Sequence, residues 1–277
     1  MKLDLKKVAA IHDISGYGRA SLTTVIPIIS SMGSQVCPIP TAVLSTHTGG
    51  FGSPKIIDLT SSMEEYINHW KSLNLKFDCI YSGYLGSVHQ INIISKFIKE
   101  FKTLDTLVAI DPVMGDDYTL YKGIDFQMVN DMRKFIRLAD LITPNYTEAC
   151  YILNKKFDEK LDKNELINML KSLSKIGPKL VIITSVPLEE NVITTACYDK
   201  EKDYVHLAQN PKLDADFQGT GDAFTSVIVG SMLKEYNIKK AVDKAIDFID
   251  SGIKISLQYD FPHRDGMILE KVLHKIL

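Results

Sequence analysis

Gln90-Ile91-Asn92-Ile93-Ile94-Ser95-Lys96-Phe97-Ile98-Lys99-Glu100-Phe101, followed shortly by Leu107-Val108-Ala109-Ile110-Asp111-Pro112, decides the fold. In the first run Ile91, Ile94, Phe97, Ile98 and Phe101 recur at helical spacing and make one apolar face. The second is a short apolar run that stops at Asp-Pro, where the ring denies further pairing. The same alternation repeats along the chain. Strands are predicted at Val8–Ile11, Gln35–Pro40, Cys79–Tyr81, Leu107–Ile110, Leu141–Thr143 and Leu180–Thr184. Helices are predicted at about Leu22–Ser31, Ser62–Leu73, Val88–Phe101, Phe126–Leu138 and Asn164–Ser174. Val192–Tyr198 and Tyr204–Leu207 flank the polar turn Asp199-Lys200-Glu201-Lys202 and read as an antiparallel hairpin at a sheet edge. Gly221–Leu277 reads as almost all helical. Repeated βαβ units of this kind imply an α/β fold with a mostly parallel central sheet flanked by helices. No linker, repeat or low-complexity tract interrupts it, so residues 1–277 are expected to form one domain.

Composition narrows the function without choosing it. The chain has 277 residues, 45% of them hydrophobic and 24% charged, enough to enclose a core without staples. Its 32 Lys and Arg against 34 Asp and Glu give a net charge of −2, so it lacks the basic excess of a nucleic-acid binder. Arg19, Arg133, Arg137 and Arg264 are the arginines, which makes bidentate phosphate clamps scarce. Cys37, Cys79, Cys150 and Cys197 show no zinc-ligand spacing and read as buried thiols. Met1–Lys7 is charged and lacks the apolar core of a signal peptide. No apolar run approaches the roughly 20 residues that span a bilayer. A cytoplasmic enzyme or small-ligand binder is expected, with neither nucleic acid nor membrane as partner.

In such a fold ligands sit outside the carboxyl ends of the parallel strands. Polar residues and glycines collect there: His12-Asp13-Ile14-Ser15-Gly16, Ser82-Gly83-Tyr84, Asp111-Pro112, Pro144-Asn145 and Thr184-Ser185. A further segment, Phe217-Gln218-Gly219-Thr220-Gly221-Asp222-Ala223-Phe224, runs into the apolar helix Ala223–Leu233. Its glycines allow successive backbone N–H groups to converge at a helix start, which is an anion hole. Asp222 beside such a hole suits a general base that takes the proton of an attacking hydroxyl. Capping of the helix is the alternative role for Asp222. Asp111-Pro112 can equally be a strand-ending turn, Asn145 with Glu148 a capping pair, Tyr84 simple packing, and Gly115–Gly123 a surface loop or a lid.

Gly219-Thr220-Gly221-Asp222 resembles the signature of the ribokinase-like superfamily of small-molecule kinases. Thr46-His47-Thr48-Gly49, Ser82-Gly83-Tyr84-Leu85-Gly86-Ser87, Asp111-Pro112-Val113-Met114-Gly115-Asp116 and Thr143-Pro144-Asn145 with Glu148 are similar to segments of the pyridoxal (vitamin B6) kinase family. The matches, with Ile183-Thr184-Ser185, come in family order from about residue 8 to residue 235. This resemblance implies a ribokinase-like three-layer fold and an enzyme that phosphorylates the 5′-hydroxyl of pyridoxal, pyridoxamine or pyridoxine with ATP and Mg²⁺. Asp222 would be the base and Gly219, Thr220 and Gly221 the anion hole. Asp111, Asp116, Thr143, Asn145, Glu148, Thr184 and Ser185 would serve ATP and the metal, with Mg²⁺ held through Glu148 and Asp111. Asp13, Ser15, Thr46, His47 and Tyr84 would contact the vitamer. The resemblance also implies a homodimer with nucleotide and vitamer in one cleft, and leaves dependence on a monovalent cation open.

The loop after the first strand departs from the pattern. Many pyridoxal kinases carry Gln-Ser-His there, whereas Asp13-x-Ser15-Gly16-x-Gly18 is similar to hydroxymethylpyrimidine phosphate kinases of the thiamin pathway. That family is the alternative, although it usually has cysteine at the position of Asp222. A dinucleotide fingerprint starting at Gly16-x-Gly18 fails at Ser21, and no P-loop motif is present. A vitamer-binding protein without catalysis would not need Asp222.

Overall fold

The computed structural model describes residues 5–157 and 161–277. Along the chain come β1 (Lys7–Ser15), α1 (Leu22–Ser31), β2 (Gln35–Leu44), β3 (Ile56–Asp58), α2 (Thr60–Ser72), β4 (Cys79–Ser82) and α3 (Val88–Phe101). Next are β5 (Leu107–Ile110), β6 (Gly115–Asp116), β7 (Thr119–Leu120), α4 (Phe126–Phe135), β8 (Leu141–Ile142), α5 (Tyr146–Leu153) and α6 (Lys163–Ile176). Then follow β9 (Leu180–Val186), β10 (Val192–Asp199), β11 (Tyr204–Pro211), α7 (Thr220–Leu233) and α8 (Ile238–Ser256). The α/β class expected from the alternation is the one found, with mostly parallel strands, flanking helices and an antiparallel pair at the end. The residues group into two compact units: one of Met1–Gly83, Thr103–Thr106 and Leu213–Leu277, the other of Tyr84–Lys102 and Leu107–Lys212.

In the first unit the strand order is β4-β1-β2-β3. β1 pairs in parallel with both β2 and β4, and its Val8-Ala9-Ala10-Ile11 run is fully buried, as a central parallel strand requires. α1 packs against α7, and α7 against α8. α7 is buried on every side from Ala223 to Ser231, which its nearly uniform apolarity allows.

β2 runs through two prolines, beyond its predicted end at Pro40. The N–H of Gln35 donates to Lys6 of the chain entering β1, so even-numbered residues of this stretch point the other way. Pro38 and Pro40 therefore face the open side of β2, where no donor is needed. There the Tyr66 hydroxyl donates to the Pro38 carbonyl at 3.0 Å. A register shift between His12 and Ile14 reverses the parity, after which β3 pairs antiparallel with Ala42–Leu44.

In the second unit the order is β11-β10-β9-β8-β5. β5, β8 and β9 are parallel; β10 runs antiparallel to both β9 and β11, which is the expected edge hairpin.

Several expectations change. β1 continues to Ser15, so His12, Asp13 and Ser15 are strand residues, not members of a loop after the strand. The last third is α-helical only to Ser256; Pro262 and Gly266 break it into 3-10 turns at His263–Asp265, Leu269–Lys271 and Leu273–Ile276. α5 and β3 were not foreseen, and the polar stretch 115–123 contains the β6-β7 pair. Cys79, Cys150 and Cys197 are buried, whereas Cys37, on β2, is half-buried; none of the four is in a disulfide. Part of the Met1–Lys7 reading falls on residues 1–4, outside the described residues. Among the described residues no helix is long and apolar enough to cross a membrane.

Candidate active site

In the first unit the site is built where α7 begins. Gly219 is the N-cap residue, with φ of 80°. A Cβ there would also stand 2.1 Å from the Arg19 carbonyl oxygen, so only glycine fits. A Cβ on Gly221 would meet nothing within 4 Å. The space beside Gly221 is thus open, at the positive end of a helix whose first N–H groups have no intrahelical acceptor.

Asp222, in the first turn, does not cap its own helix. Its Oδ2 accepts the Ser21 backbone N–H at 2.8 Å, and 16% of its side chain is exposed. Burial pushes its carboxyl up to about 7, with nearby Asp13 adding to the rise and the Ser21 N–H opposing it. Ser21 has φ 52° and ψ −134°, a conformation that costs a non-glycine residue on the order of 1–3 kcal/mol. That twist lets its N–H reach Asp222 while its hydroxyl donates to Asp13 Oδ1 at 2.6 Å. Burial likewise raises the carboxyl of Asp13, against the lowering effects of Ser21 and His47.

His12, one residue before Asp13, is fully buried with Nδ1 3.9 Å from Asp222 Oδ1. His47 is also buried. Its Nδ1 accepts the Gly49 N–H at 3.1 Å, which leaves Nε2 to donate to the Arg264 carbonyl at 2.6 Å. The loop carrying His47 is thereby pinned to the segment after α8, and Arg264 donates in turn to the Gly50 carbonyl. Ser15 is buried and Thr46 half-buried.

The second unit assembles a separate group around α5. Asn145 and Glu148 form a complete capping box: Asn145 Oδ1 accepts the Glu148 N–H, and Glu148 Oε2 accepts the Asn145 N–H, both at 2.8 Å. Glu148 Oε1 accepts the Met114 N–H at 2.9 Å. Asn145 Nδ2 donates to the Gly115 carbonyl at 2.8 Å and lies 3.4 Å from Asp116 Oδ1. Burial pushes Glu148 up to about 8; the N–H donors oppose the rise and Asp116 adds to it. Thr184 bridges to Asn145 through its backbone, and its N–H donates to Pro144. Ser185 is exposed with φ 55°, a strained strand residue opposite the register shift between β9 and β10. Asp111 and Thr143 are buried at the ends of β5 and β8, Asp116 is exposed, and Tyr84 is half-buried.

Asp116, Asn145, Glu148 and Thr184 are therefore neighbours, as are Asp13 and Asp222. His12 and Ser21 were not among the expected site residues. Ser21 was visible only as the residue that breaks a dinucleotide fingerprint, and nothing local to it foretells a bond to residue 222. Among the described residues no three His, Cys, Asp or Glu side chains converge as a metal cluster. Asp111, Asp116 and Glu148 offer oxygen only, which suits a hard cation such as Mg²⁺ that brings waters and phosphates as its other ligands. Both Glu148 oxygens already accept N–H bonds, so a metal there would be held through water.

A glycine-rich helix start with open space beside it, next to a half-buried carboxylate whose pKa is raised, on an α/β fold, suits phosphoryl transfer to a small molecule. The family described as phosphomethylpyrimidine kinase matches residues 11–266. A Bacteroides thetaiotaomicron protein provisionally named a phosphomethylpyrimidine kinase, crystallised with pyridoxal, is 47% identical, with a TM-score of 0.95 over 99% of this chain and 96% of that one. The pyridoxal kinase of Lactobacillus plantarum is 30% identical, with a TM-score of 0.91 over 99% and 97% of the two chains. Arabidopsis thaliana pyridoxal kinase is 26% identical over 265 residues, 89% of this chain and 80% of that protein. The chain belongs to the phosphomethylpyrimidine kinase family and is an enzyme of the pyridoxal kinase type.

Proposed function

We propose that this kinase transfers the γ-phosphoryl group of ATP to the 5′-hydroxyl of pyridoxal, pyridoxamine or pyridoxine. The observation that carries the reading is Asp222, a half-buried carboxylate held by the Ser21 N–H in the first turn of α7. Asp222 takes the hydroxyl proton as the substrate oxygen bonds to the γ-phosphorus. The bond from that phosphorus to the β,γ-bridging oxygen breaks, and its electron pair leaves with ADP. Backbone N–H groups of Gly219, Thr220 and Gly221 receive the charge on the phosphoryl oxygens. Asp13, Ser15, Thr46, His47 and Tyr84 line the acceptor in this reading. Asp111, Asp116, Thr143, Asn145, Glu148, Thr184 and Ser185 serve the nucleotide. Glu148 and Asp111 would hold Mg²⁺, which when bound neutralises phosphate charge. One domain over 1–277 and a cytoplasmic site of action belong to the same reading and rest on the sequence pattern and composition, and a homodimer rests on the resemblance.

The family description favours a second reading, phosphorylation of hydroxymethylpyrimidine or its phosphate. Steady-state kcat/KM for the three vitamers and hydroxymethylpyrimidine, measured by coupled ADP release, separates them. A vitamer is expected to be preferred. A preference of about tenfold or more for hydroxymethylpyrimidine, roughly 1.4 kcal/mol in transition-state binding, overturns the substrate assignment. Tight pyridoxal binding with no ADP release would mean a binding protein.

A further inference from the structure

Behind Asp222 stands a histidine that the mechanism above does not use. His12, on β1, has no exposed surface, and neither ring nitrogen has a hydrogen-bond partner. A buried polar group left unpaired costs about 1–3 kcal/mol and calls for an explanation. The ring is nevertheless closely fitted. Tyr81 of β4 meets it edge-on with centroids 4.4 Å apart. A Cβ on Gly83 would lie 2.3 Å from His12 Nδ1, so the bare backbone there makes room for that nitrogen.

The free atom that Nδ1 faces is Asp222 Oδ1, at 3.9 Å. The other carboxylate oxygen, Oδ2, is fixed by the Ser21 N–H, so Oδ1 is left to accept the substrate proton. A distance of 3.9 Å is too long for a hydrogen bond. Catalytic contacts are often long without substrate and close when the site fills.

We propose that His12 is a positioning residue for Asp222: a neutral imidazole whose Nδ1–H is presented to Oδ1, holding the carboxylate as the anion while the bound substrate dries its surroundings. The proposal rests on the reading of Asp222 as base. Burial, which lowers the His12 ring to about 3, keeps it uncharged throughout the working range. The other groups bearing on Asp222 are Asp13 on β1 and the Ser21 N–H before α1. His47, from the loop after β2, acts on Asp13. Ser82, ending β4, and Ser226, one turn along α7, are buried with unpartnered hydroxyls and carry no charge.

The test is the pH dependence of kcat, which reports groups in the bound complex, for wild type, His12→Leu and His12→Gln with pyridoxal and ATP. Leucine removes the donor, so the acid limb should move up by about one pH unit. Glutamine keeps an amide N–H, and its limb should stay near that of wild type. A limb that does not move in His12→Leu, or moves equally in both variants, overturns the proposal. A merely structural role would lower activity evenly across pH. Should His12→Leu fail to fold, the wild-type chain still decides through ¹⁵N-histidine NMR of its complex with a non-hydrolysable ATP analogue and pyridoxal, His12 being assigned by its absence in His12→Gln. A neutral ring protonated on Nδ1 from about pH 5.5 to 8.5 is expected; protonation on Nε2, or titration within that window, overturns it. Asp222→Asn separates the two ideas: full turnover there sinks the base and His12 with it, whereas a dead Asp222→Asn with an unmoved limb sinks His12 alone.

Discussion

The Ser21 backbone N–H donates to Asp222 Oδ2 at 2.8 Å across 201 positions of sequence, while the Ser21 hydroxyl donates to Asp13 Oδ1 at 2.6 Å. One strained residue thus holds two carboxylates. Replacing Ser21 with alanine removes the bond to buried Asp13 but keeps the strain, and should cost about 1–3 kcal/mol in urea unfolding. Ser21→Gly loses the same bond and relieves the positive φ, so it should cost less than alanine. Equal or reversed losses would mean that Ser21 is not strained.

Asp222 links catalysis to stability. Asp222→Asn should reduce turnover by about 10²–10⁴-fold. Its carboxyl is raised from 3.8 to about 7 in the folded chain, so the folded chain binds a proton more tightly than the unfolded chain does. The stability this confers is complete below about pH 4 and is lost as pH rises through about 7. Glu148, raised from 4.5 to about 8, acts in the same direction. An asparagine amide at this position has no charge to bury. The Asp222→Asn variant should therefore be more stable than wild type at pH 8, by on the order of 2 kcal/mol, with the gap closing towards pH 4. Thermal melts at both pH values check this, and a constant gap would contradict it.

The two glycines before Asp222 should separate by readout. Gly219→Ala meets the Arg19 carbonyl and a positive φ, so both stability and turnover should fall. Gly221→Ala enters open space, so melting should be nearly unchanged while turnover drops about tenfold or more, the methyl group occupying room reserved for the phosphoryl oxygens. A Gly221→Ala enzyme with normal kinetics would argue against the anion hole.

Glu148→Gln tests the second unit. Both carboxylate oxygens accept backbone N–H groups, and an amide can offer only one acceptor. Its NH₂ would face a donor, costing about 1–3 kcal/mol and weakening the Mg²⁺ dependence of turnover. Titration of activity with Mg²⁺, beside a melt, separates the two effects; an unchanged metal dependence would reduce Glu148 to a cap.

The fold was legible because buried parallel strands and amphipathic helices write their periods locally, as Val8–Ile11 and Gln90–Phe101 do. Element ends were less so. β2 passes through two prolines because its outer side needs no donors, a fact of topology and not of propensity. α5 is short and mostly buried, so it lacks an amphipathic signature, although its capping box was visible in Asn145 and Glu148. Of the site, residues carried by contiguous motifs could be read directly. His12 and Ser21 could not, since each acts on residue 222 through tertiary contact alone. His47 stood out as a loop histidine, yet both its nitrogens are engaged by backbone, which the sequence does not reveal.

The outward side of β2 has one more consequence. Pro38 and Pro40 withhold two donors from it, and Tyr66 occupies the Pro38 acceptor. A foreign strand approaching Gln35–Pro40 would find too few complementary groups to extend the sheet. Residues that look misplaced inside a strand thus act as a guard against chain-to-chain polymerisation by strand addition along Gln35–Pro40.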